Sequence, residues 1–336
     1  MTKCLQAMRL ALIMAVILLL LSAAGLLAPS HGAIVSSSDE IYTHQDMSKD
    51  IAALSKKYPK IFRFRDFGRS LDDRKLYCLT LGNPHAKKQI FVTADMHARE
   101  YINGQMVMKC IEYYCKNYET GSYKGESYKS LFNKVSIVVL PMVNPDGVAI
   151  AMGGIDRIRK KELRDHLKEM EAEIGTWQAN ARGVDINRNF GIWKQGPDSA
   201  KYSKEPSYEY YGGVTIYSEP ETRAVRRAIN TCSDIQAFIN FHSMGRIIFW
   251  GHYDEEFKEK CKDLAIAVQD LNGYTLRDES DTRYDHGDFE HYIIKRYRIP
   301  YVCIETGLSI PVSTSEFEPI YKAHRDLFAA LALKYQ

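Results

Sequence analysis

The sequence predicts a three-layer α/β/α fold, in which helices cover both faces of a mixed, largely parallel sheet of about eight strands. Short apolar segments typical of strands alternate with amphipathic segments typical of helices along most of the 336 residues. The segment 135–143 is almost wholly apolar, which indicates a strand buried on both faces. Because there are no internal repeats or low-complexity linkers, we expect one large domain after an N-terminal leader.

The first 33 residues are predicted to be that leader. Lys3 and Arg9 give a basic start, residues 10–27 form a nearly unbroken apolar run, and Gly32 and Ala33 are small residues near its end. This order is typical of a secretory signal peptide. About 18 apolar residues can also span a bilayer, so an uncleaved membrane anchor stays open. The remaining residues, 34–336, are then a single extracytoplasmic domain, either secreted or held in the cell envelope.

Net charge and cysteine content set further bounds. The formal net charge of +3 is too small to indicate nucleic-acid binding, and basic and acidic residues are interleaved. Six of the seven cysteines follow the leader, namely Cys78, Cys110, Cys115, Cys232, Cys261 and Cys303. An even number permits disulfides in an exported chain. Since Cys78 and Cys303 lie in strand-like runs, where buried thiols are equally expected, no pairing is predicted.

The first half of the chain contains clear helix and strand signals. Thr43 is a suitable N-cap, and apolar residues then recur at helical spacing as far as Tyr58. The predicted elements are a helix at 43–58, strands at 61–67, 75–81 and 89–94, a helix at 102–118 and the strand at 135–143. Asn144-Pro145-Asp146-Gly147 follows that strand and has the composition of a turn.

The second half begins with charged and irregular segments and then resumes the alternation. A charge-rich stretch at 157–173 predicts an exposed helix, and 185–213 predicts a long ordered loop. Ser218-Glu219-Pro220-Glu221 predicts a helix start with a capping box and an early proline. The later elements are strands at 235–241, 247–250 and 301–305 and helices at 255–271, 288–297 and 315–335.

Polar residues end several apolar strands, and His97, Glu100 and His242 are the most informative of them. In open α/β sheets, ligands bind beyond the carboxyl ends of the strands, so these residues are expected to meet at one edge. Two imidazoles and one carboxylate are the protein ligands of a catalytic zinc whose fourth position stays open. Zinc acidifies water and polarises carbonyl groups, so the chemistry predicted here is hydrolysis.

The order of the motifs resembles that of the zinc metallocarboxypeptidases, the carboxypeptidase A-like family. The matching segments are His97-Ala98-Arg99-Glu100, Asn144-Pro145-Asp146-Gly147, Arg159-Lys160, residues 183–190, His242-Ser243 and Ile304-Glu305. They cover essentially the whole mature chain in the right order, so an α/β carboxypeptidase-like enzyme is expected.

The resemblance implies roles for individual residues. One Zn²⁺ per chain would be held by His97, Glu100 and His242. Glu305 would be the general base, because an apolar flank can raise the pKa of a carboxylate toward working pH. Arg159 would donate to the oxyanion that forms at the scissile carbonyl, with Arg157 as the alternative.

The same resemblance implies a substrate-binding set. Asn187 and Arg188 match the pair that grips the terminal carboxylate of the peptide. Arg99 is a further carboxylate or subsite contact, or a supporting residue, and Tyr284 matches the family's mobile tyrosine. Asp285-His286 follows Tyr284 where the animal digestive enzymes have a glycine-containing stretch. Independently, Asp185 is a candidate partner for the second nitrogen of a ligand histidine.

The segment 242–250 is similar to a bacterial branch that cuts cell-wall peptides at γ-D-glutamyl-diamino-acid bonds. Arg246 would then meet an extra substrate carboxylate, or be an ordinary surface arginine. Phe289 suggests an apolar pocket wall, while Glu290 or Asp288 could receive an amino group. The favoured partner is a peptidoglycan stem peptide, bound by a monomer. Alternatives are a general secreted metallocarboxypeptidase, a zinc deacylase of small amides and a non-catalytic peptide-binding module.

Overall fold

The described strands are two to nine residues long, and half of them are deeply buried. The computed structural model describes residues 32–36, 41–170, 175–191, 202–251, 255–279 and 288–336. Its strands are β1 (Phe62–Arg69), β2 (Lys75–Leu81), β3 (Lys88–Thr93), β4 (Ser122–Tyr123), β5 (Glu126–Ser127), β6 (Val135–Leu140), β7 (Ile235–Ser243), β8 (Ile247–Trp250), β9 (Thr275–Asp278) and β10 (Tyr301–Thr306).

Eight of these strands form one mixed sheet in the order β1-β2-β6-β3-β7-β10-β8-β9. The four central strands, β6, β3, β7 and β10, are parallel. Strands β1 and β2 are antiparallel to their neighbours on one side, and β8 is antiparallel to β10 on the other. The predicted mixed, largely parallel sheet of about eight strands is therefore confirmed.

Helices pack on both faces of this sheet. They are α1 (His44–Lys57), α2 (Ile102–Asn117), α3 (Tyr128–Lys134), α4 (Pro145–Gly153), α5 (Lys161–Lys168), α6 (Pro220–Asn230), α7 (Glu255–Asn272), α8 (Phe289–Tyr297), α9 (Phe317–His324) and α10 (Leu327–Tyr335). Within the described ranges, no helix is long and apolar enough to cross a membrane.

Strand β7 shows how the two faces differ. Phe238 contacts the ring of Phe289 on α8, whereas Phe241 contacts the ring of His324 on α9. Because these two positions on β7 are three residues apart, they point to opposite faces of the sheet. His242 has the same parity as Phe238, so its imidazole projects on the α8 side.

The buried interior extends through the centre of the sheet. Every residue of β6 is buried, as expected for a strand covered on both faces. Ile34–Gln336 form one compact unit. The predicted leader lies almost wholly outside the described residues. The six cysteines after the leader, for which no pairing was predicted, are free thiols in the structure.

The structure differs from the prediction at two segments, one around Asn144 and one around Ser218. Asn144 does not begin a turn; its side chain accepts a hydrogen bond from Gly147 N–H, and Pro145 is the first residue of α4. An N-cap followed by proline is a helix start, which explains the difference. Conversely, the capping box predicted at Ser218 is wrong, because Glu219 caps α6 without a side-chain hydrogen bond.

The predicted closing helix at 315–335 is two helices, and Tyr114 explains the break. Its hydroxyl donates to the carbonyl of Arg325 at 2.7 Å and accepts from the N–H of Ala329 at 3.1 Å. These two backbone groups would bond directly in a continuous helix, so the inserted hydroxyl separates α9 from α10.

Other elements are shorter than expected or were missed. In the described part of the predicted 157–173 helix, the α-helix is α5 and begins only at Lys161, because the N–H groups of Arg159 and Lys160 donate to the Asp72 carboxylate and hold that segment extended. The β4–β5 pair, α3 and β9 were not predicted; they are short or mostly polar, so their apolar periodicity is weak.

Candidate active site

The predicted site residues lie where the central strands end. Glu305 on β10 is paired directly with His242 on β7. Thr93, the last residue of β3, is paired with Asn240, so the chain leaves the sheet beside them. His97 follows shortly and immediately precedes a single 3₁₀ turn, Ala98–Glu100. The sheet thus brings three separate segments to one carboxyl edge.

His97, Glu100 and His242 converge on one point. Their ligand atoms all lie within 4.8 Å of one another. Nδ1 of His242 is 3.1 Å from Nδ1 of His97 and 2.8 Å from a Glu100 oxygen, while the other Glu100 oxygen is 3.0 Å from Nδ1 of His97. Two imidazole nitrogens that face each other and share a carboxylate are the donor set of a divalent zinc ion.

Electrostatics at these three side chains agree with a cation site. Burial opposes protonation of His97, but the Glu100 and Asp185 carboxylates outweigh it and raise the pKa of His97 to about 9. Burial likewise disfavours the charged form of Glu100, yet the two imidazoles hold the pKa of this carboxyl below its ordinary value. Burial lowers the pKa of His242, so the groups that favour a cation here are the Glu100 and Asp185 carboxylates.

Asp185 supports His97 from behind. One Asp185 oxygen is 3.4 Å from Nε2 of His97, and the other accepts from the Gln178 amide at 2.7 Å. Asp185 is fully buried. A carboxylate beside the second imidazole nitrogen can fix the ring and strengthen it as a ligand, which is the role predicted for Asp185.

Asn240 makes the corresponding contact to His242 and was missed from the sequence. Its side-chain amide lies 2.8 Å from Nε2 of His242 and also bonds the hydroxyl groups of Tyr301 and Thr93. Asn240 and His242 are two residues apart on β7 and therefore share a face. The sequence signal that could have identified it is an asparagine two residues before His242 in an otherwise apolar run.

Glu305 stands beside this group in a largely apolar strand. Its flanking residue Ile304 is fully buried, and its carboxylate is 3.7 Å from the Cys303 thiol. Burial, reinforced by the charge of Glu100, raises the pKa of Glu305 to about 8. A carboxyl in this environment can hold a proton near neutral pH.

The Asn187-Arg188 pair lies on a 3₁₀ turn that Asp185 begins. The N–H of Asn187 donates to the Asp185 side chain at 3.0 Å, and the N–H of Arg188 donates to the Asp185 carbonyl at 2.9 Å. The same Asp185 contacts His97. The side-chain oxygen of Asn187 accepts from Phe289 N–H at 3.1 Å, which ties this turn to the first residue of α8.

Arg99 and Arg159 contact residues outside the His-Glu-His group. The Arg99 guanidinium donates to the Thr176 carbonyl at 3.1 Å and is 3.5 Å from the Glu209 carboxylate. Arg159 is mostly exposed, and its guanidinium contacts Asp72. Among the described contacts, none joins Arg159 to the His-Glu-His group, so the structure does not bring this predicted oxyanion donor to it.

The remaining predicted residues are distributed around α8 and β8. Tyr284 lies outside the described residues, as do Asp285 and His286. Phe289 is fully buried, and Asp288 caps α8 by accepting from His291 N–H. Burial, then the charges of Glu279 and Asp288, raise the pKa of Glu290 well above its ordinary value. Arg246 is 3.3 Å from Glu316, so it pairs within the chain.

Residues 47–307 match the family model described as zinc carboxypeptidase. The uncharacterized protein YqgT of Bacillus subtilis is 30% identical over 302 residues, which cover 85% of this chain and 75% of that protein. The gamma-D-glutamyl-L-diamino acid endopeptidase 1 of Lysinibacillus sphaericus is 27% identical over 296 residues, 86% of this chain and 72% of the relative.

Solved structures share the fold at lower identity. Thrombin activatable fibrinolysis inhibitor superposes with a TM-score of 0.67 and 20% identity over 91% of this chain and 77% of its own. Carboxypeptidase A from Helicoverpa armigera gives 0.65 and 17% over 92% and 78%. The resemblance seen in the motifs is confirmed, as are the enzyme class and the zinc cofactor. The chain belongs to the zinc carboxypeptidase family and is a zinc-dependent peptidase.

Proposed function

We propose that this enzyme is exported and cleaves peptide bonds near a free C-terminal carboxylate, with a bacterial cell-wall peptide as the favoured substrate. One observation carries the proposal for the carboxylate. Asp185 contacts His97 with its side chain and begins the turn that bears Asn187 and Arg188. A guanidinium group can bind a terminal carboxylate bidentately. A peptide held in this way beside the metal ligands would have its last peptide bond at the metal centre.

The chain's own groups divide the catalytic work. Zinc bound by His97, Glu100 and His242 would polarise the scissile carbonyl and acidify water. Glu305 takes a proton from the attacking water and passes it to the leaving amine, a task for which its raised pKa is suited. Arg188 and the amide nitrogen of Asn187 hold the terminal carboxylate and so orient the bond.

To act as the oxyanion donor, Arg159 would have to change its side-chain rotamer. Arg159 is proposed for this role on the family resemblance, and its guanidinium contacts Asp72. Its side chain is 61% exposed, so a rotamer change is sterically open to it. Arg157 is the alternative donor, and Arg99 and Tyr284 are proposed to contact the substrate beyond its terminal carboxylate.

A diamino acid next to the cleaved bond is supported by the acidic groups near α8. Asp288 is close enough to raise the pKa of Glu290, and Asp288 itself is bonded to His291. A protonated amino group on the substrate would favour the ionised form of Glu290. The Lysinibacillus relative, a gamma-D-glutamyl-L-diamino acid endopeptidase, points the same way. Arg246 carries less of the proposal because it already pairs with Glu316.

Export is proposed on the sequence of the leader alone. The basic and apolar character of the first 33 residues supports export to the envelope or the medium, by cleavage or as an anchor. We propose a monomer. The two rivals are a general secreted carboxypeptidase and a peptide-binding module without turnover, and the presence of Glu305 beside a complete ligand set favours an enzyme.

Digestion of defined substrates tests the proposal. Zinc-loaded enzyme would be incubated with muropeptides that contain a γ-D-glutamyl-diamino-acid bond and with simple C-terminal dipeptides, and the products identified by mass. The expected result is faster release of product from the muropeptides than from the dipeptides. Equal or faster cleavage of the dipeptides would support the general carboxypeptidase, and no product from either would support the binding module.

A further inference from the structure

The first turn of α2 contacts the ends of β7 and β10 through one side chain, the amide of Asn103. Its Nδ2 donates to the carbonyls of Glu100 and His242, each at 3.1 Å, and lies 3.2 Å from the Ser243 hydroxyl. Its Oδ1 accepts from the Thr306 hydroxyl at 2.7 Å. One side chain thus contacts the backbone of two metal ligands and the residue that follows the proposed base.

The partners of Asn103 require both halves of an amide. Two carbonyl oxygens face Nδ2, and a carbonyl can only accept a hydrogen bond, so the NH₂ group must lie on that side. The Thr306 hydroxyl can then donate to Oδ1. Asn103 is fully buried. At this position an aspartate would place an oxygen against two carbonyls, and a leucine would remove their donor.

Asn103 contacts the strand ends from the face of the sheet opposite the metal ligands. Ser243 and Thr306 are direct partners on β7 and β10, just as His242 and Glu305 are. Because successive side chains of a strand point to opposite faces, the two hydroxyls lie on one side of the sheet and the imidazole and carboxylate on the other. The hydroxyls are 3.0 Å apart, and both contact Asn103. Three polar side chains therefore support the site from the α2 side.

The metal ligand Glu100 is held at both ends by this polar group. Its carbonyl accepts from Asn103, and its carboxylate accepts from Ser243 N–H at 3.1 Å. The same carboxylate oxygen is 2.8 Å from Nδ1 of His242. A ligand carboxylate is oriented by the hydrogen bonds it accepts in addition to the metal. The direction of the Glu100 carboxylate therefore depends on how its turn is joined to the end of β7.

We propose that Asn103 is a positioning residue for the metal site, which fixes the turn that carries Glu100 against the strand end that carries His242. Through Thr306 it also holds the end of β10, and with it the neighbouring carboxylate of Glu305. This second contact matters for turnover only if Glu305 is the base, so it rests on the proposed function. The bonds to the two metal ligands do not.

Zinc affinity, measured by competition with a chelator, tests the proposal without any substrate. Asn103→Leu has a side chain of similar size and removes every hydrogen bond, so zinc affinity should fall by about 10- to 100-fold. Unchanged zinc affinity in a folded Asn103→Leu enzyme would overturn the proposal.

Kinetics provide a second measurement. With a peptide that the unaltered enzyme cleaves, kcat should fall in Asn103→Leu while KM changes little, because the ligands and Glu305 are displaced and the clamp at Arg188 is not. A loss seen in KM alone would contradict the positioning role. If the unaltered enzyme cleaves no peptide, the proposed function fails and the comparison of zinc affinities still decides the role of Asn103.

Matched variants separate positioning from a general loss of stability. Thr306→Val removes the hydroxyl that bonds Asn103 and should weaken zinc binding, whereas Thr306→Ser retains it and should not. If Asn103→Leu does not fold, equal zinc affinities of these two variants overturn the proposal.

Tyr114→Phe is the stability control, because it removes two buried hydrogen bonds elsewhere on α2. It should lower the urea midpoint of the zinc-free enzyme and leave zinc affinity unchanged. A loss of zinc affinity in Tyr114→Phe as large as that in Asn103→Leu would show that any weakening of α2 has the same effect, and would overturn the proposal.

Discussion

Glu305 and His242 are direct partners on the parallel strands β10 and β7. Paired residues on neighbouring strands are about 5 Å apart and share a face of the sheet. The position of the proposed base relative to a metal ligand is therefore set by backbone hydrogen bonds. A change at the carboxylate should not move the strand, so its chemical role can be tested separately from its structural setting.

The first prediction is that Glu305→Gln removes turnover and keeps the metal. Glutamine has nearly the shape of glutamate but cannot accept and return a proton, so kcat should fall by roughly 10²–10⁴-fold. Zinc content, measured by elemental analysis, should stay near one per chain. Full activity in this variant would remove Glu305 from the mechanism, and loss of zinc would show that it helps to hold the metal instead.

The second prediction concerns Asp185, which is 3.4 Å from Nε2 of His97. Asp185→Asn retains an oxygen for the Asn187 N–H but removes the negative charge that strengthens His97 as a ligand. Zinc affinity, measured by competition with a chelator, should fall by about 10- to 100-fold. Gln178→Met is the matched control, because it removes the hydrogen bond to the other oxygen of Asp185 without changing the charge; it should perturb affinity by a smaller factor. Unchanged affinity in Asp185→Asn would contradict the orienting role.

The third prediction separates the terminal carboxylate from the rest of the substrate. Arg188→Ala should lower kcat/KM for peptides with a free C-terminus by about 10- to 100-fold, since hydrogen bonds between charged groups contribute roughly 1.5–3 kcal/mol. Peptides with an amidated C-terminus should change little. Arg188→Lys keeps the charge and loses the fork, so its activity should fall between the two. An equal loss on free and amidated peptides would disprove the clamp.

Much of the site could be predicted because its residues follow strands of strong character. β3, β7 and β10 are apolar runs that end in polar residues, and parallel strands bring their carboxyl ends together. His97, Glu100, His242 and Glu305 therefore meet as expected. The apolar runs and the polar residues that end them were therefore sufficient to predict both the sheet and the edge at which the site lies.

What escaped prediction depends on contacts between distant segments. Nothing near residue 325 indicates that the Tyr114 hydroxyl, far away in the chain, enters the helix there. Likewise, the Asp72 carboxylate decides where the segment at Arg159 stays extended and where its guanidinium lies. Apolar periodicity reports only which face of a segment is buried. It therefore cannot predict a contact from a single side chain of a distant segment.

The last prediction is a pH dependence of stability that comes from His324. This imidazole is 2% exposed and lies edge-on to the rings of Phe241 and Tyr274. Burial lowers the pKa of His324 to about 4, against a partly opposing hydrogen bond to the Ile320 carbonyl. In the unfolded chain the pKa is about 6.5. The folded state therefore binds this proton less readily than the unfolded state does.

The sign follows from that difference. The stability contributed by neutral His324 is fully present above about pH 6.5 and is lost as the pH falls toward 4, by about 3 kcal/mol in total. His324→Gln should remove this part of the slope, as measured by urea unfolding at a series of pH values. Other groups, including the metal ligands, titrate in the same window, so the difference between unaltered enzyme and variant is the relevant quantity. His85→Gln, at an exposed position, is the matched control and should retain the full slope. Parallel curves for unaltered enzyme and His324→Gln between pH 6.5 and 4 would show that the folded protein protonates His324 as readily as the unfolded chain.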